Sequence, residues 1–270
     1  VKDVATSTLS EPALADAMIG PGEVGTKQLS REETQRASNR RELLKVSHLT
    51  AKRLVAVSMD LRAGEIVGIA GVDGNGQREL VEVITGRRPW QFGAISVDGH
   101  TLTKLTPAQA RGLHVTHIPE DRLRDGIVAD MRVDENVALG RQRTSHCSTR
   151  GFINVGERRK LSESLIAKFD VRPADPTRRM GDLSGGNQQK LVVARELSGE
   201  IGTLIAVQPT RGLDVAATKA VHQHLSDWGA RGGGIVLISL DLDEVMQLST
   251  RIYVIHAGRI VAEMPAPPFD

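Results

Sequence analysis

Three short apolar segments limit the fold of this chain more than any other feature of its sequence. They span residues 66–70, 203–207 and 235–239. Each is apolar over nearly its whole length, which is typical of a strand that is buried on both faces of a sheet. Each is followed by a segment that favours a helix, over residues 77–85, 216–228 and 242–248. Buried strands that alternate with helices predict an α/β fold built on a sheet core.

Further strands are predicted around these segments. Short apolar stretches, some of them alternating with polar residues, indicate strands over residues 43–46, 55–61, 94–97 and 114–119, and a closing hairpin over 251–262. Residues 120–182 are richer in charge and favour helices, most clearly over 133–139 and 157–169. We therefore expect a helical insertion at about residues 120–182.

The composition argues against several functional classes. The 270 residues carry a formal net charge of +2 with both signs well mixed, so the chain lacks the electrostatic footprint of a nucleic-acid-binding protein. No apolar run reaches the ~18 residues that a membrane-spanning helix needs. The single cysteine, Cys147, cannot form an intrachain disulfide, which fits a reducing cytosol. Its polar neighbours predict that Cys147 lies in an exposed loop.

The octapeptide LSGGNQQK, residues 183–190, lies at the start of a predicted helix that continues through Leu197. Ser184 is expected to be the N-cap, and the two glycines that follow allow a ligand to approach the backbone closely. The first turn of a helix has free N–H groups and the positive end of the helix dipole. The octapeptide therefore predicts a site for an anion.

A glycine-rich segment, GVDGNGQR, follows the predicted strand over residues 66–70 and precedes a predicted helix. This strand–loop–helix context is the one that a phosphate loop requires. Gly71 and Gly76 have the spacing of that motif, and Gly74 lies between them. We call residues 71–78 the phosphate loop.

The octapeptide, together with the later hexapeptide PTRGLD at residues 209–214, resembles the signature of ABC ATPases in the form found in importers of sugars and nucleosides. We call residues 183–190 the signature segment. The resemblance implies the ABC-type fold of P-loop NTPases, with an antiparallel β subdomain and a helical insertion. It implies that Asp214 belongs to a loop that crosses a dimer interface. The residues implied to complete an ATP site on the partner half are Ser184, Gly185, Gly186 and Gln188.

The same resemblance implies that the chain's own ATP site is degenerate. The phosphate loop keeps Gly71, Gly74 and Gly76, but its Lys and its Ser or Thr are replaced by Gln77 and Arg78. Other family positions also differ, and no residue is assigned as a metal ligand. Val207 occupies the position of the metal-binding Asp, and Gln208 occupies that of the catalytic Glu. Leu240 occupies the position of the switch His, and Glu120 occupies that of the metal-contacting Gln. Residues 47–56 lack the aromatic that stacks on adenine.

The resemblance also implies an organisation and a set of partners. Residues 1–40 look like the tail of a preceding ATPase half, residues 41–265 like the nucleotide-binding domain and 266–270 like a C-terminal tail. We expect a peripheral component of a transport ATPase on the cytoplasmic side of the cell membrane, inactive by itself, with ATP and Mg²⁺ mainly at the composite site. Its expected partners are a first nucleotide-binding half or a second ATPase copy, transmembrane permease subunits and, indirectly, a substrate-binding protein, but no nucleic acid.

Two other functions remain open from the sequence. One is a soluble ABC-type ATPase that acts on ribosomes or DNA, although such proteins usually have intact sites in both halves and basic or coiled-coil insertions. The other is a dimerisation scaffold that does not hydrolyse ATP.

Overall fold

A computed structural model describes residues 40–142, 147–149, 152–265 and 267. The predicted tails over residues 1–40 and 266–270 lie almost wholly outside this part of the chain. The strands are β1 (Glu42–Ala51), β2 (Leu54–Arg62), β3 (Ile66–Ala70), β4 (Phe92–Val97), β5 (His100–Leu102), β6 (Val115–Ile118), β7 (Ser148–Thr149), β8 (Phe152–Ile153), β9 (Thr203–Val207), β10 (Gly234–Ile238), β11 (Arg251–His256) and β12 (Arg259–Met264). The helices are α1 (Gln77–Ile84), α2 (Pro107–Gly112), α3 (Val133–Val137), α4 (Val155–Lys168), α5 (Gly185–Leu197), α6 (Val215–Ala230) and α7 (Leu242–Leu248).

The central sheet has six strands in the order β12-β11-β3-β10-β9-β6. All neighbours pair in parallel except β11 and β12, which form an antiparallel hairpin. The carboxyl ends of the parallel strands lie at one edge of this sheet. The segments that follow β3, β6, β9 and β10 therefore emerge side by side, and they contain the phosphate loop and most of the candidate residues. The α/β fold that the sequence predicts is confirmed.

A second sheet of four strands has the order β2-β1-β4-β5 and is antiparallel throughout. In β1, Leu44 pairs with Leu61 on one side and with Val97 on the other. All three side chains are buried, because alternate residues of each strand face the core. This sheet covers one face of the central sheet, with α1 packed between them in the same hydrophobic cluster.

The central sheet is buried on both faces, as its continuous apolar strands predict. One face packs against the antiparallel sheet and α1, and the other packs against α5, α6 and the segments before α5. Successive residues of a strand point to opposite faces. In β3, Val67 and Ile69 belong to the first cluster and Ile66 to the second; in β10, Val236 and Ile238 belong to the first and Ile235 and Leu237 to the second.

Residues 120–182 form several short elements in the part that is described. Besides α3 and α4, there is a π-helical turn over Arg122–Gly126, a 3₁₀ turn over Met180–Asp182 and the two-stranded hairpin of β7 and β8. Cys147 precedes that hairpin, and its side chain is buried rather than exposed as expected. The expectation was wrong because polar neighbours along the chain do not report whether one side chain between them points inward.

One buried cation links the two sheets. The guanidinium of Arg251 in β11 lies 3.0 Å from Oδ1 of Asp60 in β2 and 3.0 Å from Oε2 of Glu65, and it donates to the hydroxyl of Tyr253 at 2.9 Å. Burial acts to lower the pKa of Arg251, but the surrounding carboxylates hold that pKa above its ordinary value. Burial likewise acts to raise the pKa of Asp60, and the bonds from Arg251 keep it below its ordinary value.

Within the described ranges, no helix combines the length and the apolar character that crossing a membrane requires.

We predict that Arg251→Leu lowers the free energy of unfolding by about 3 kcal/mol, because it leaves the buried carboxylate of Glu65 without its cation and removes the nearer of the two cations that pair with the partly buried Asp60. Urea denaturation followed by circular dichroism measures this change. The control is Lys160→Met, which removes an exposed ion pair with Glu157. The control should change stability by less than about 0.5 kcal/mol. Equal effects of the two variants would contradict a structural role for the Arg251 cluster.

Candidate functional site

A pocket lies at the carboxyl edge of the central sheet, between the segments that follow β3, β6, β9 and β10. The side chains around it come from all four of these segments and from the start of α1. Among the residues predicted from the sequence, it brings together Gly71, Gln77, Arg78, Glu120, Val207, Gln208 and Leu240. The structure thus places these residues around one cavity, although they are far apart in the sequence.

The phosphate loop is held in shape by its own contacts and by the β11–β12 turn. The side-chain amide of Asn75 donates to the carbonyl of Val72 at 2.8 Å, and its Oδ1 accepts the N–H of Ala257 at 2.8 Å. The carbonyl of Asn75 also accepts the N–H of Gly258 at 2.9 Å. Gly76, with φ of 110°, begins α1 without a side-chain cap, so no side chain of the cap residue takes up the first N–H groups of the helix.

The side chain of Gln77 does not reach out of this loop. Its Nε2 donates to the carbonyl of Gly71 at 3.1 Å and to the carbonyl of Val72 at 3.0 Å, and the side chain is buried. In the described part of the chain, its Oε1 has no hydrogen-bond partner. Gln77 is therefore engaged by the loop itself and offers no positive charge to a ligand.

Arg78 also lines the pocket, and it is paired with another lining residue. Its Nε donates to Oε1 of Glu82 at 3.1 Å, one turn further along α1, and Arg88 donates to the other oxygen of Glu82 at 2.7 Å. Burial acts to raise the pKa of Glu82, but the bonds from Arg88 and Arg78 hold it below its ordinary value. The second residue of α1 is thus held in an ion pair with Glu82.

The remaining pocket residues form contacts that the sequence did not indicate. Glu120 accepts a hydrogen bond from the guanidinium of Arg211 at 2.8 Å in an exposed ion pair. Gln208 has a left-handed backbone with φ of 48°, and its N–H donates to the carbonyl of Ile238 at 2.8 Å. Leu240 is exposed at the rim. Among the described residues, no group of three or more His, Cys, Asp and Glu side chains could hold a metal ion.

The signature segment forms a second candidate site at the start of α5. Ser184 is the N-cap, as predicted, and its hydroxyl oxygen accepts the N–H of Asn187. Ser184 and Gly186 line a second cavity together with Asn187, Lys190 and Asp214. Asp214 itself caps α6, where its Oδ1 accepts the N–H of Ala217 at 2.8 Å. The starts of two helices therefore meet at this cavity.

Two signature residues lie differently from their neighbours. Gln188 is buried, its Nε2 donates to the carbonyl of Met180 at 3.2 Å, and its Oε1 accepts a bond from Arg122 at 3.4 Å. The structure therefore does not bring Gln188 together with Ser184 and Gly186. Gly185 faces the guanidinium of Arg122, which a β-carbon at this position would meet. Arg122 was missed from the sequence, because nothing local indicates that it crosses to the signature helix.

His117 lies at the end of β6 and lines the first pocket. Burial, followed by the nearby positive charge of Arg87, lowers the pKa of His117 to about 4. The side chain is therefore neutral at pH 7 in the folded protein, and it brings no positive charge to the pocket.

Comparisons with known proteins agree on one family. The family model described as "ABC transporter" matches residues 54–211, more than half of the chain. The guanosine import ATP-binding protein NupO of Bacillus subtilis is 39% identical over 270 residues, which cover 98% of this chain and 52% of that protein. The nucleoside import ATP-binding protein NupA of Lactococcus lactis is 43% identical over 77% of this chain and 41% of its own length.

The glucose import ATP-binding protein TsgD13 of Haloferax volcanii is 39% identical over 97% of this chain and 48% of its own length. The chain thus spans about half the length of the relatives that it matches. Among solved structures, a nucleotide-free ATP-binding cassette of an ABC transporter superposes with a TM-score of 0.71 at 21% identity, over 84% of this chain and 92% of that one. An ATP-binding subunit of an ABC transporter superposes with a TM-score of 0.69 at 23% identity, over 83% of this chain and 90% of that one. These structures confirm the ABC-type P-loop NTPase fold.

We predict that His117→Gln reduces the loss of stability when the pH falls from 7 to 5. The pKa of His117 is lower in the folded than in the unfolded chain, so the unfolded chain binds more protons between pH 6.5 and pH 4. The contribution of neutral His117 to the free energy of unfolding is therefore present at pH 7. It is lost as the pH falls through this window, by about 1–2 kcal/mol at pH 5. Unfolding free energies at the two pH values measure the difference. An equal loss in both proteins would contradict this origin.

Proposed function

Because this chain belongs to the ABC transporter family, we propose that it is the nucleotide-binding domain of an importer for simple sugars or nucleosides. In this proposal its own phosphate loop does not support hydrolysis, whereas its signature segment completes an ATP site on a partner half. Members of this family bind ATP, typically with Mg²⁺. The support comes from the chemistry of the two cavities and from the names of the relatives.

The observation that carries the proposal is the contrast between Gln77 and Ser184. The amide of Gln77 is used up on carbonyls of its own loop, and Arg78 is paired with Glu82. A triphosphate with Mg²⁺ needs a cation at the first position and an oxygen ligand at the second. The side chain of Val207 offers no oxygen either. Gln77, Arg78 and Val207 therefore do not supply the cation and the oxygen ligands that a triphosphate with Mg²⁺ needs in the first pocket.

The signature face does fit a phosphate. Ser184 and Gly186 stand at the open start of the 13-residue helix α5, where free N–H groups and the helix dipole favour an anion. Lys190 lines the same cavity. Such groups would stabilise the charge that develops on a γ-phosphate during hydrolysis, without needing a metal ligand from this chain.

The relatives' greater length suggests the wider assembly. We propose that this chain corresponds to the second half of a longer polypeptide, with residues 41–265 forming the domain and 120–182 its helical insertion. The first half would supply the intact ATP site. Transmembrane permease subunits would hold the pair at the cytoplasmic side of the membrane, with a substrate-binding protein delivering the solute. The import functions in the names of the relatives favour this assembly over an ATPase acting on ribosomes or DNA.

We predict that the isolated chain hydrolyses Mg-ATP no faster than background, because its first pocket lacks the lysine and the metal ligands. Steady-state phosphate release measures this rate. The control is Gly76→Asp, which places a negative charge at the start of α1 and closes the loop to phosphate. A wild-type rate clearly above that of the control would contradict the assignment of the first pocket as inactive.

In the ATPase assembled with its partner half, we predict that Gly186→Asp abolishes turnover, whereas Gln77→Ala changes it by less than about twofold. A β-carbon at Gly186 would lie 3.8 Å from Cδ2 of Leu213, an ordinary contact, so the fold accepts the substitution. Its carboxylate would repel the partner's γ-phosphate.

Steady-state kinetics on both variants tests this asymmetry, with circular dichroism as the check on folding. If Gln77→Ala were as damaging as Gly186→Asp, the first pocket would have to be given a part in catalysis.

A further inference from the structure

Asn187 makes three hydrogen bonds at the start of α5, and two of them go to the same oxygen. Its Oδ1 accepts the backbone N–H of Arg172 at 2.7 Å. Its Nδ2 donates to Oγ of Ser184 at 2.9 Å, and its own backbone N–H donates to that Oγ at 3.4 Å. Asn187 thus connects the segment after α4 to the hydroxyl that begins the signature helix.

The bond from Arg172 fixes the orientation of the amide. A backbone N–H only donates, so the atom of Asn187 that faces it must be the oxygen. The NH₂ group then has to face Ser184. The direction of the bond to the serine therefore follows from the surrounding chemistry and does not depend on how the two similar ends of the amide are assigned.

This arrangement leaves the Ser184 hydroxyl free to donate one hydrogen bond. A hydroxyl has two lone pairs and one proton. Both lone pairs are used by Asn187, so the O–H must point away from Asn187, toward the cavity that Ser184 lines with Gly186 and Lys190. We propose that Asn187 is a positioning residue that presents the Ser184 O–H as a donor to a phosphate oxygen of the partner half's nucleotide. This inference rests on the proposed function of the signature segment.

A merely structural role for Asn187 makes a different prediction. In Asn187→Asp, the carboxylate can still accept the N–H of Arg172, and a negative charge in the first turn of α5 is favourable for the helix. The second carboxylate oxygen, however, would accept the Ser184 proton and turn the O–H inward. The positioning role therefore predicts that this variant is as stable as the wild type but less active. Its carboxylate would also repel a phosphate in the same cavity, so the alanine variants in the two serine backgrounds separate positioning from charge.

The test uses the ATPase in which this chain is assembled with its partner half. It compares Asn187→Asp, Asn187→Ala, Ser184→Ala and the double variant Ser184→Ala/Asn187→Ala. We expect Asn187→Asp to lower kcat about tenfold or more, with KM for ATP changed less than about twofold, since the donor acts on the reacting phosphate. The melting temperature should stay at or above that of the wild type. Asn187→Ala should lower kcat in the wild type but not in the Ser184→Ala background, because it acts through the serine hydroxyl.

The possible outcomes separate this inference from the function on which it rests. An unchanged kcat in Ser184→Ala would overturn the role of the serine hydroxyl and with it the positioning role, whereas full turnover in Gly186→Asp would overturn the proposed role of the signature segment. If Ser184→Ala lowers kcat and Asn187→Ala lowers it by the same factor in both backgrounds, the positioning role alone is overturned. A full kcat in Asn187→Asp would also overturn the positioning role alone.

Discussion

The parallel pairing of β10 between β3 and β9 is the constraint on which the rest of the structure depends. Ile238 at the end of β10 pairs with Ile69 on one side and with Val207 on the other. This register fixes the level at which three loops leave the sheet. Both faces of these strands are covered by hydrophobic clusters, so a shift of one residue would turn apolar side chains out of their core. The distance between the phosphate loop and the residues after β9 is thereby set by the sheet and not by the loops.

Much of this arrangement follows from the sequence, because periodicity and cap residues are local signals. The bounds of β9 and α7 and the Ser184 cap are confirmed. The direction of polar side chains is not local. Gln188 turns inward because Arg122, which is distant in sequence, lies beside it. Likewise the ion pair of Glu120 with Arg211 arises only because β6 and β9 are neighbours in the sheet.

The two candidate sites differ in how their polar groups are satisfied. In the first, the amide nitrogen of Gln77, the guanidinium of Arg78 and the carboxylate of Glu120 each find a partner within the described chain. In the second, Asn187 satisfies only the acceptor side of Ser184 and leaves its donor outward. The first site's named side chains are therefore paired with other residues of this chain, whereas the second site leaves a hydroxyl donor for another molecule.

The attachment of Asn75 to the β11–β12 turn has a consequence for how such a chain changes over evolutionary time. Three hydrogen bonds hold the loop, and none of them is made through a phosphate. Substitutions at the next positions can therefore remove the binding chemistry without unfolding the domain. A domain changed in this way would still align its strands and would keep α5 in place. The loop can therefore lose its charge and keep its shape, because different residues maintain these two properties.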